Sequence, residues 1–285
     1  MGPAGSSRSS DAFGRQPTDT YFADDAQGAS AIAIDKIRVC IAGITGWVGR
    51  PLAEAVAASA DLDLVGGIAR SDKQHFSSVE AALDSVPADV LVDYTSAAAV
   101  KHNVRAALAR GVAVVVGSSG LSAADYLEVD AQARARGVGV IAAGNFSITA
   151  ALLLRFATEA ARHMEAWEVI DFASLTKPDA PSGTARELAE RLSGVRAPAS
   201  GVSIDHMLGM REARGADLEG TRVHSVRLPG FSVSTEAVFA GEDERLTIRH
   251  DAGASATPYI AGTMLAIRAV VGRSGLTRGL DQILF

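Results

Sequence analysis

The sequence predicts an α/β protein: a doubly wound parallel sheet, followed by a smaller α+β domain with a mainly antiparallel sheet. Three observations carry this expectation. Short β-rich runs alternate with helical stretches through the first half of the chain, which is the pattern of βαβ units. Glycines spaced Gly43-x-x-Gly46-x-x-Gly49 stand between the first such run and the first helical stretch. Beyond Ser147 the β-rich segments follow one another with few helices between them.

Composition narrows the function classes. With 285 residues, 48% of them hydrophobic, 21% charged and 5% aromatic, the chain is neither a disordered protein nor a fibre. A net charge of −6 provides no basic field for nucleic acid. Cys40 is the single cysteine, which excludes an intrachain disulfide and a cysteine-rich zinc site. The six histidines show no ligand spacing, so no metal is expected. No apolar run approaches the roughly 18 residues of a membrane span. Residues 1–35 are small and polar, without the apolar core of a secretory signal, and are expected to be a disordered tail. A soluble cytoplasmic protein is the expectation. No Gly-x-Ser-x-Gly elbow supports serine hydrolysis.

Residues 36–43 (KIRVCIAG) form a β-rich run ending in glycine, and a helical pattern follows over 51–59. In such a strand–turn–helix the first glycine permits the tight turn. The second lets the backbone approach a pyrophosphate, and the third lets helix pack on strand. The helix start then offers free N–H groups and a positive dipole end to the phosphates. This is a Rossmann-type cradle, with Trp47 and Val48 between its last two glycines. A second strand is expected at 62–68. An acidic residue at its end bonds the adenosine ribose, whereas a basic one receives the NADP phosphate. Arg70 stands there with Ser71 and Lys73, beside Asp72, so NADPH is the expected cofactor and NADH is admitted.

Strands are expected next at 89–94, 112–116 and 138–142, with helices over 97–110 and 123–136. Ligands of such sheets lie at the carboxyl ends of the strands. Thr95, Gly117, Ser118, Ser119 and Asn145 fall there, with Phe146 following, and most are small where a nicotinamide needs room. A helix over 149–163 leads to β-rich segments around 168–175, 223–228, 233–240 and 245–248, and a helix over 259–271 closes the pattern. The expected domains are residues 36–146, completed by 257–285, for the dinucleotide, and 147–256 as a second domain of α+β type, to which the resemblance described below assigns substrate binding and oligomerisation.

The segment Lys177-Pro178-Asp179-Ala180-Pro181-Ser182-Gly183-Thr184-Ala185 carries the most chemistry. Two prolines stiffen it, and Ser182-Gly183-Thr184 opens a helix that runs on through 186–192. Free N–H groups, two hydroxyls and the Lys177 ammonium converge on one spot, which suits a carboxylate because charge-assisted bonds and the helix dipole add. A plain helix cap beside a solvated lysine fits the same residues, and the residues alone leave both readings open. The Arg134/Arg136 and Arg186/Glu187/Glu190/Arg191 clusters read as solvated helix faces.

This nonapeptide resembles the end of the signature of the dihydrodipicolinate reductase family, roughly E-x-H-H-x-x-K-x-D-A-P-S-G-T-A. In the same order, GITGWVG resembles that family's GxxGxxG, and Asp93-Tyr94-Thr95 its D-F-T. Gly117-Ser118-Ser119-Gly120 resembles its G-T-T-G, and Asn145-Phe146-Ser147 its P-N-F-S. The resemblance implies a homotetrameric NAD(P)H-dependent reductase of lysine (diaminopimelate) biosynthesis, whose smaller domain builds the oligomer. It places Lys177, Ser182, Gly183 and Thr184 on a substrate carboxylate. It places Gly43, Gly46, Trp47, Val48, Gly49, Arg70 and Thr95 on the dinucleotide, with Gly117, Ser119, Asn145 and Phe146 near the nicotinamide.

The chain also departs from the pattern. Ala173-Ser174 stand where the family has two histidines, the first of them its proposed general acid, and Asp171 stands for the preceding glutamate. No histidine lies between His163 and His206. The family's G-E-H segment is Ser234-Thr235-Glu236 here, and its H-[RK]-A-S-S-R segment runs from His250 to Ser255. Hydride addition needs a close nicotinamide, a fixed acceptor and a partner for developing negative charge. For the last, an iminium acceptor needs no acid at the transfer step, and otherwise Lys177 or a water held by Ser174 and Thr176 is the candidate proton donor. The expected function is reduction of a carboxylated cyclic imine or unsaturated acid. The alternatives are a paralogue with a different imine or amino-acid substrate and a weakly catalytic dinucleotide-binding protein.

Overall fold

Apolar side chains alternate along Ile37–Ala42 (β1), so that Val39 and Ile41 feed one face of a sheet while Cys40 and Ala42 feed the other. The computed structural model describes residues 35–199 and 201–285. Apart from Asp35, the tail expected over 1–35 lies outside the described residues. β1 is followed by Gly49–Ala57 (α1), Leu62–Ile68 (β2), Val79–Ser85 (α2), Val90–Asp93 (β3) and Val100–Ala109 (α3). Ala113–Val116 (β4), Ala123–Arg136 (α4) and Gly139–Ala142 (β5) come next. Every residue of β3, β4 and β5 is buried, as in a parallel sheet covered on both faces.

The second half contains Ile148–His163 (α5), Ala166–Ala173 (β6), Gly183–Ser193 (α6), Ala216–Leu218 (β7), Thr221–Arg227 (β8), Val233–Ala240 (β9) and Arg245–Ala252 (β10). Thr257–Val270 (α7), Gly275–Arg278 (β11) and Asp281–Leu284 (α8) complete the chain. The first sheet has the order β11-β5-β4-β3-β1-β2, and all of its pairings are parallel. The second has the order β10-β9-β6-β8-β7. Its pairings are antiparallel except β6–β8, which is parallel because α6 carries the chain back across the sheet between those strands. Leu153 and Leu154 of α5 and Leu188 and Leu192 of α6 cover its inner face against Trp167, Val169 and Phe239.

Several elements differ from the sequence expectation. The first helix begins at Gly49 rather than at residue 51, because Pro51 in the first turn lacks only an N–H that would be unpaired anyway. β11 was not expected. Too short to stand alone, it exists because α7 returns the chain beside β5, where Gly275–Arg278 pairs with Gly139–Ala142. α2 was not expected either. Ser78 caps it by accepting from the Ala81 N–H, and Val79 and Ala82 bury its inner side.

Candidate active site

The turn after β1 is built for close approach. Gly43 has φ +83°, and a Cβ there would lie 2.2 Å from the Tyr94 carbonyl oxygen, so neither the conformation nor the space admits a side chain. Val48, at the start of α1, supplies no side-chain cap. The amides of Trp47, Val48 and Gly49 find no acceptor among the described residues, which leaves a helix start open to an anion. Gly46 closes the turn by donating to the Gly43 carbonyl at 2.9 Å. Trp47 is 59% exposed and meets Tyr259 of α7 edge-on, with ring centroids 5.6 Å apart.

At the end of β2, Arg70 and Lys73 are exposed and form no ion pair among the described residues. Asp72, their acidic neighbour in the chain, folds into its own loop, where its Oδ1 accepts from the Gln74 N–H at 2.9 Å. The basic groups are therefore left without a local carboxylate partner.

The ends of β3 and β4 are tied together by Asp93, which is fully buried. Its Oδ1 accepts from the Thr95 hydroxyl at 2.8 Å and from the Ser118 hydroxyl at 2.5 Å, and its Oδ2 from Asn103 Nδ2 at 2.7 Å. Thr95 is exposed above this anchor. Beside it the Tyr94 ring lies under Gly117, where a Cβ would come 2.2 Å from Cε1 of the ring. Burial pushes the Tyr94 phenol up, and its hydroxyl is held 2.7 Å from the Thr263 hydroxyl on α7. Trp47, Val48, Tyr94, Gly117, Asn145 and Phe146 line a cavity of about 180 Å³. Asn145 is held at both ends, accepting from the Ser147 N–H and donating to Thr184 Oγ1 at 3.1 Å, and Phe146 is 1% exposed. Both shape the wall of this cavity more than they offer free polar groups.

An adjoining cavity of about 760 Å³ brings the β4 loop, including Gly117 and Ser119, against Lys177, Asp179, Pro181 and Gly183. Lys177 Nζ lies 2.7 Å from Asp179 Oδ1. Ser182 caps α6, accepting from the Ala185 N–H at 3.3 Å, and Thr184 Oγ1 accepts from Asn145. Each hydroxyl oxygen thus already accepts one bond within the fold, and its O–H is left to donate. Ser182 and Thr184 are buried, because the same oxygens serve as cap and as crosslink to the β5 loop. What the loop leaves without an acceptor among the described residues is the pair of amides of Gly183 and Thr184, beside a Lys177 ammonium shared with Asp179. Ala173 is fully buried at the end of β6, and Ser174 Oγ lies 3.4 Å from Thr176 Oγ1. None of the six histidines, all of them described, lines either cavity.

Of the residues read from the sequence as part of a solvated helix face, Glu187 is buried and Arg191 is half-buried. Glu187 is 6% exposed and accepts from the Gly144 N–H at 2.8 Å, and burial pushes its carboxyl up. Arg191 makes a two-pronged bond to the buried Asp281 at 2.8 and 2.9 Å. Sequence reasoning also missed Arg227, which bonds Asp171 inside the second sheet. The available signal was Glu187 adjoining the apolar stripe of Ala185, Leu188, Ala189 and Leu192. Among the described residues no group of His, Cys, Asp and Glu gathers to hold a metal, and no helix is long and apolar enough to cross a membrane.

Models of the N-terminal and C-terminal parts of dihydrodipicolinate reductase match residues 37–146 and 149–284. A 4-hydroxy-tetrahydrodipicolinate reductase from Streptococcus pneumoniae (strain Hungary19A-6) is 38% identical over 254 residues, spanning 87% of this chain and 99% of its own. A dipicolinate-bound dihydrodipicolinate reductase from Paenisporosarcina sp. TG-14 superposes with a TM-score of 0.73 at 28% identity, over 87% of this chain and 99% of that one. An amine dehydrogenase from Mycobacterium smegmatis, 16% identical with a TM-score of 0.58 over 86% of this chain and 95% of its own, shares the fold.

Proposed function

Since the chain belongs to the dihydrodipicolinate reductase family, we propose that it reduces 4-hydroxy-tetrahydrodipicolinate, or a closely related carboxylated cyclic imine, at the expense of NADPH. The observation that carries this reading is the shared cavity, where Lys177 and Gly183 face the Gly117–Ser119 loop at the ends of the parallel strands. The residues present fit a dinucleotide: a glycine turn without room for side chains, an uncapped helix start, and Arg70 with Lys73 free of carboxylate partners. When bound there, the dinucleotide supplies the hydride. Arg70 and Lys73 favour the phosphorylated form, and NADH remains admitted because the turn itself recognises only the pyrophosphate.

The chain's own residues then bind and orient the acceptor. Lys177 and the open amides of Gly183 and Thr184 take one carboxylate, which fixes the ring against the 180 Å³ cavity lined by Tyr94 and Gly117. The family's acid is absent from the position of Ala173, and no histidine lines either cavity. Lys177 Nζ, or a water held by the adjacent hydroxyls of Ser174 and Thr176, supplies the proton. An acceptor that already carries positive charge as an iminium needs none at the transfer step. We assign the dinucleotide to residues 36–146 with 257–285, and the substrate to 147–256. The outer face of the second sheet, with a groove of about 1070 Å³ that includes Glu168, Ile170 and Val238, supports assembly as a homotetramer. A single buried cysteine suits the reducing cytoplasm.

The test is a spectrophotometric screen of NADPH oxidation against a panel of cyclic imines that includes 4-hydroxy-tetrahydrodipicolinate. Turnover with that compound at the highest kcat/KM is expected. Tight NADPH binding without turnover on any imine refutes the proposal.

A further inference from the structure

Two polar contacts of the Pro-braced loop lead to one buried pair. Asp171, near the end of β6, is fully buried, and the Arg227 side chain, at the end of β8, is 15% exposed. Asp171 Oδ2 accepts from Arg227 Nη2 at 2.8 Å, from the Ser182 N–H at 2.9 Å and from the Ser225 hydroxyl at 3.2 Å. Arg227 Nη2 also donates to the Asp179 carbonyl at 2.7 Å. The turn 179–182 is thus bonded at one end to Arg227 and at the other to Asp171. Asp171 Oδ1 and Arg227 Nε, by contrast, are buried without a partner among the described residues.

Two consequences follow for an anion at this loop. By taking the Ser182 N–H, Asp171 fixes the direction of the first turn of α6, so that the next two amides, of Gly183 and Thr184, are the ones left open. A buried carboxylate beside a carboxylate-binding helix start also repels the ligand unless a cation offsets it, and Arg227 is the cation in contact. We infer that Asp171 and Arg227 are the positioning residues for dicarboxylate binding: the aspartate sets the loop, and the arginine cancels the charge that would otherwise oppose the substrate. The inference rests on the proposed reductase reading and deepens it.

The experiment uses the full chain saturated with NADPH, with dipicolinate (pyridine-2,6-dicarboxylate) as the binding probe and the imine as substrate. Arg227→Gln is expected to weaken dipicolinate at least tenfold and to raise KM by a similar factor, with kcat changed less and the NADPH Kd within twofold. The double variant Asp171→Asn/Arg227→Gln is expected to recover at least threefold of that loss, because it removes the uncompensated charge. Where Arg227→Gln does not fold, Arg227→Lys keeps the charge but not the two-way reach, and is expected to lose threefold or more in dipicolinate affinity at unchanged NADPH affinity. Dipicolinate binding within twofold of the parent in both Arg227 variants overturns the inference, as does an equal loss of NADPH affinity or a double variant no better than Arg227→Gln. If the parent protein binds neither dipicolinate nor the imine, the proposed function itself fails and takes this inference with it. Parent binding with indifferent variants removes only the inference.

Discussion

Replacing Lys177 by alanine removes the lysine ammonium that lines the larger cavity. A hydrogen bond to a charged group contributes roughly 1.5–3 kcal/mol. Two features of the structure place Lys177 in the lower half of that range. Its side chain is 26% exposed, so water screens it, and Nζ already lies 2.7 Å from Asp179 Oδ1, so a substrate carboxylate competes with a partner in place. The expected loss is about 1.5–2 kcal/mol, or roughly 10–30-fold in kcat/KM. The assay is steady-state NADPH oxidation with substrate varied at saturating cofactor. A loss confined to KM assigns Lys177 to carboxylate binding. A further fall in kcat, of roughly 10²–10⁴, assigns it the proton as well. The KM for NADPH is expected to stay constant, because Lys177 lies apart from the glycine turn and from Arg70. A kcat/KM within twofold of the parent refutes the carboxylate clamp.

Arg70→Ala is expected to reduce the preference for NADPH over NADH by about 1 kcal/mol, roughly fivefold, a modest figure because the side chain is exposed; equal use of both cofactors by the parent protein removes the assignment. Gly117→Ala places a methyl 2.2 Å from the Tyr94 ring and is expected to destabilise the fold by about 1–3 kcal/mol and to weaken NADPH binding. An unshifted thermal midpoint counts against that packing. Glu187 tests the pH dependence. Its folded carboxyl is raised by burial, so the folded state binds more protons than the unfolded one between the ordinary carboxylate value and the raised value. Stability contributed by this group is present below that window and falls as pH rises through it. Glu187→Gln is expected to flatten this slope in urea unfolding measured from pH 4 to 7, and parallel curves for the two proteins contradict it.

The cofactor half was legible in the sequence because its signals are local. The alternation of Val39 and Ile41 with Cys40 and Ala42, the spacing of Gly43, Gly46 and Gly49, and the uncapped helix start all lie within a few residues of one another. The substrate half was legible only in outline. Ser182 and Thr184 have the composition of free hydroxyls, yet the cap geometry and Asn145 have already engaged them. Glu187 looks solvated on a helical projection, but it is buried because Gly144, 43 residues earlier in the chain, brings an N–H to it. β11 became a strand only because β5 stands beside it.

By itself the sequence determined the class of sheet, the phosphate turn and the loop that bears Lys177, since short-range sterics and periodicity decide those. Only the tertiary structure decided which polar groups remain open. That depends on partners distant in the chain, such as Asp171 with Ser182 and Arg227, and on the burial that makes each unpaired charge costly.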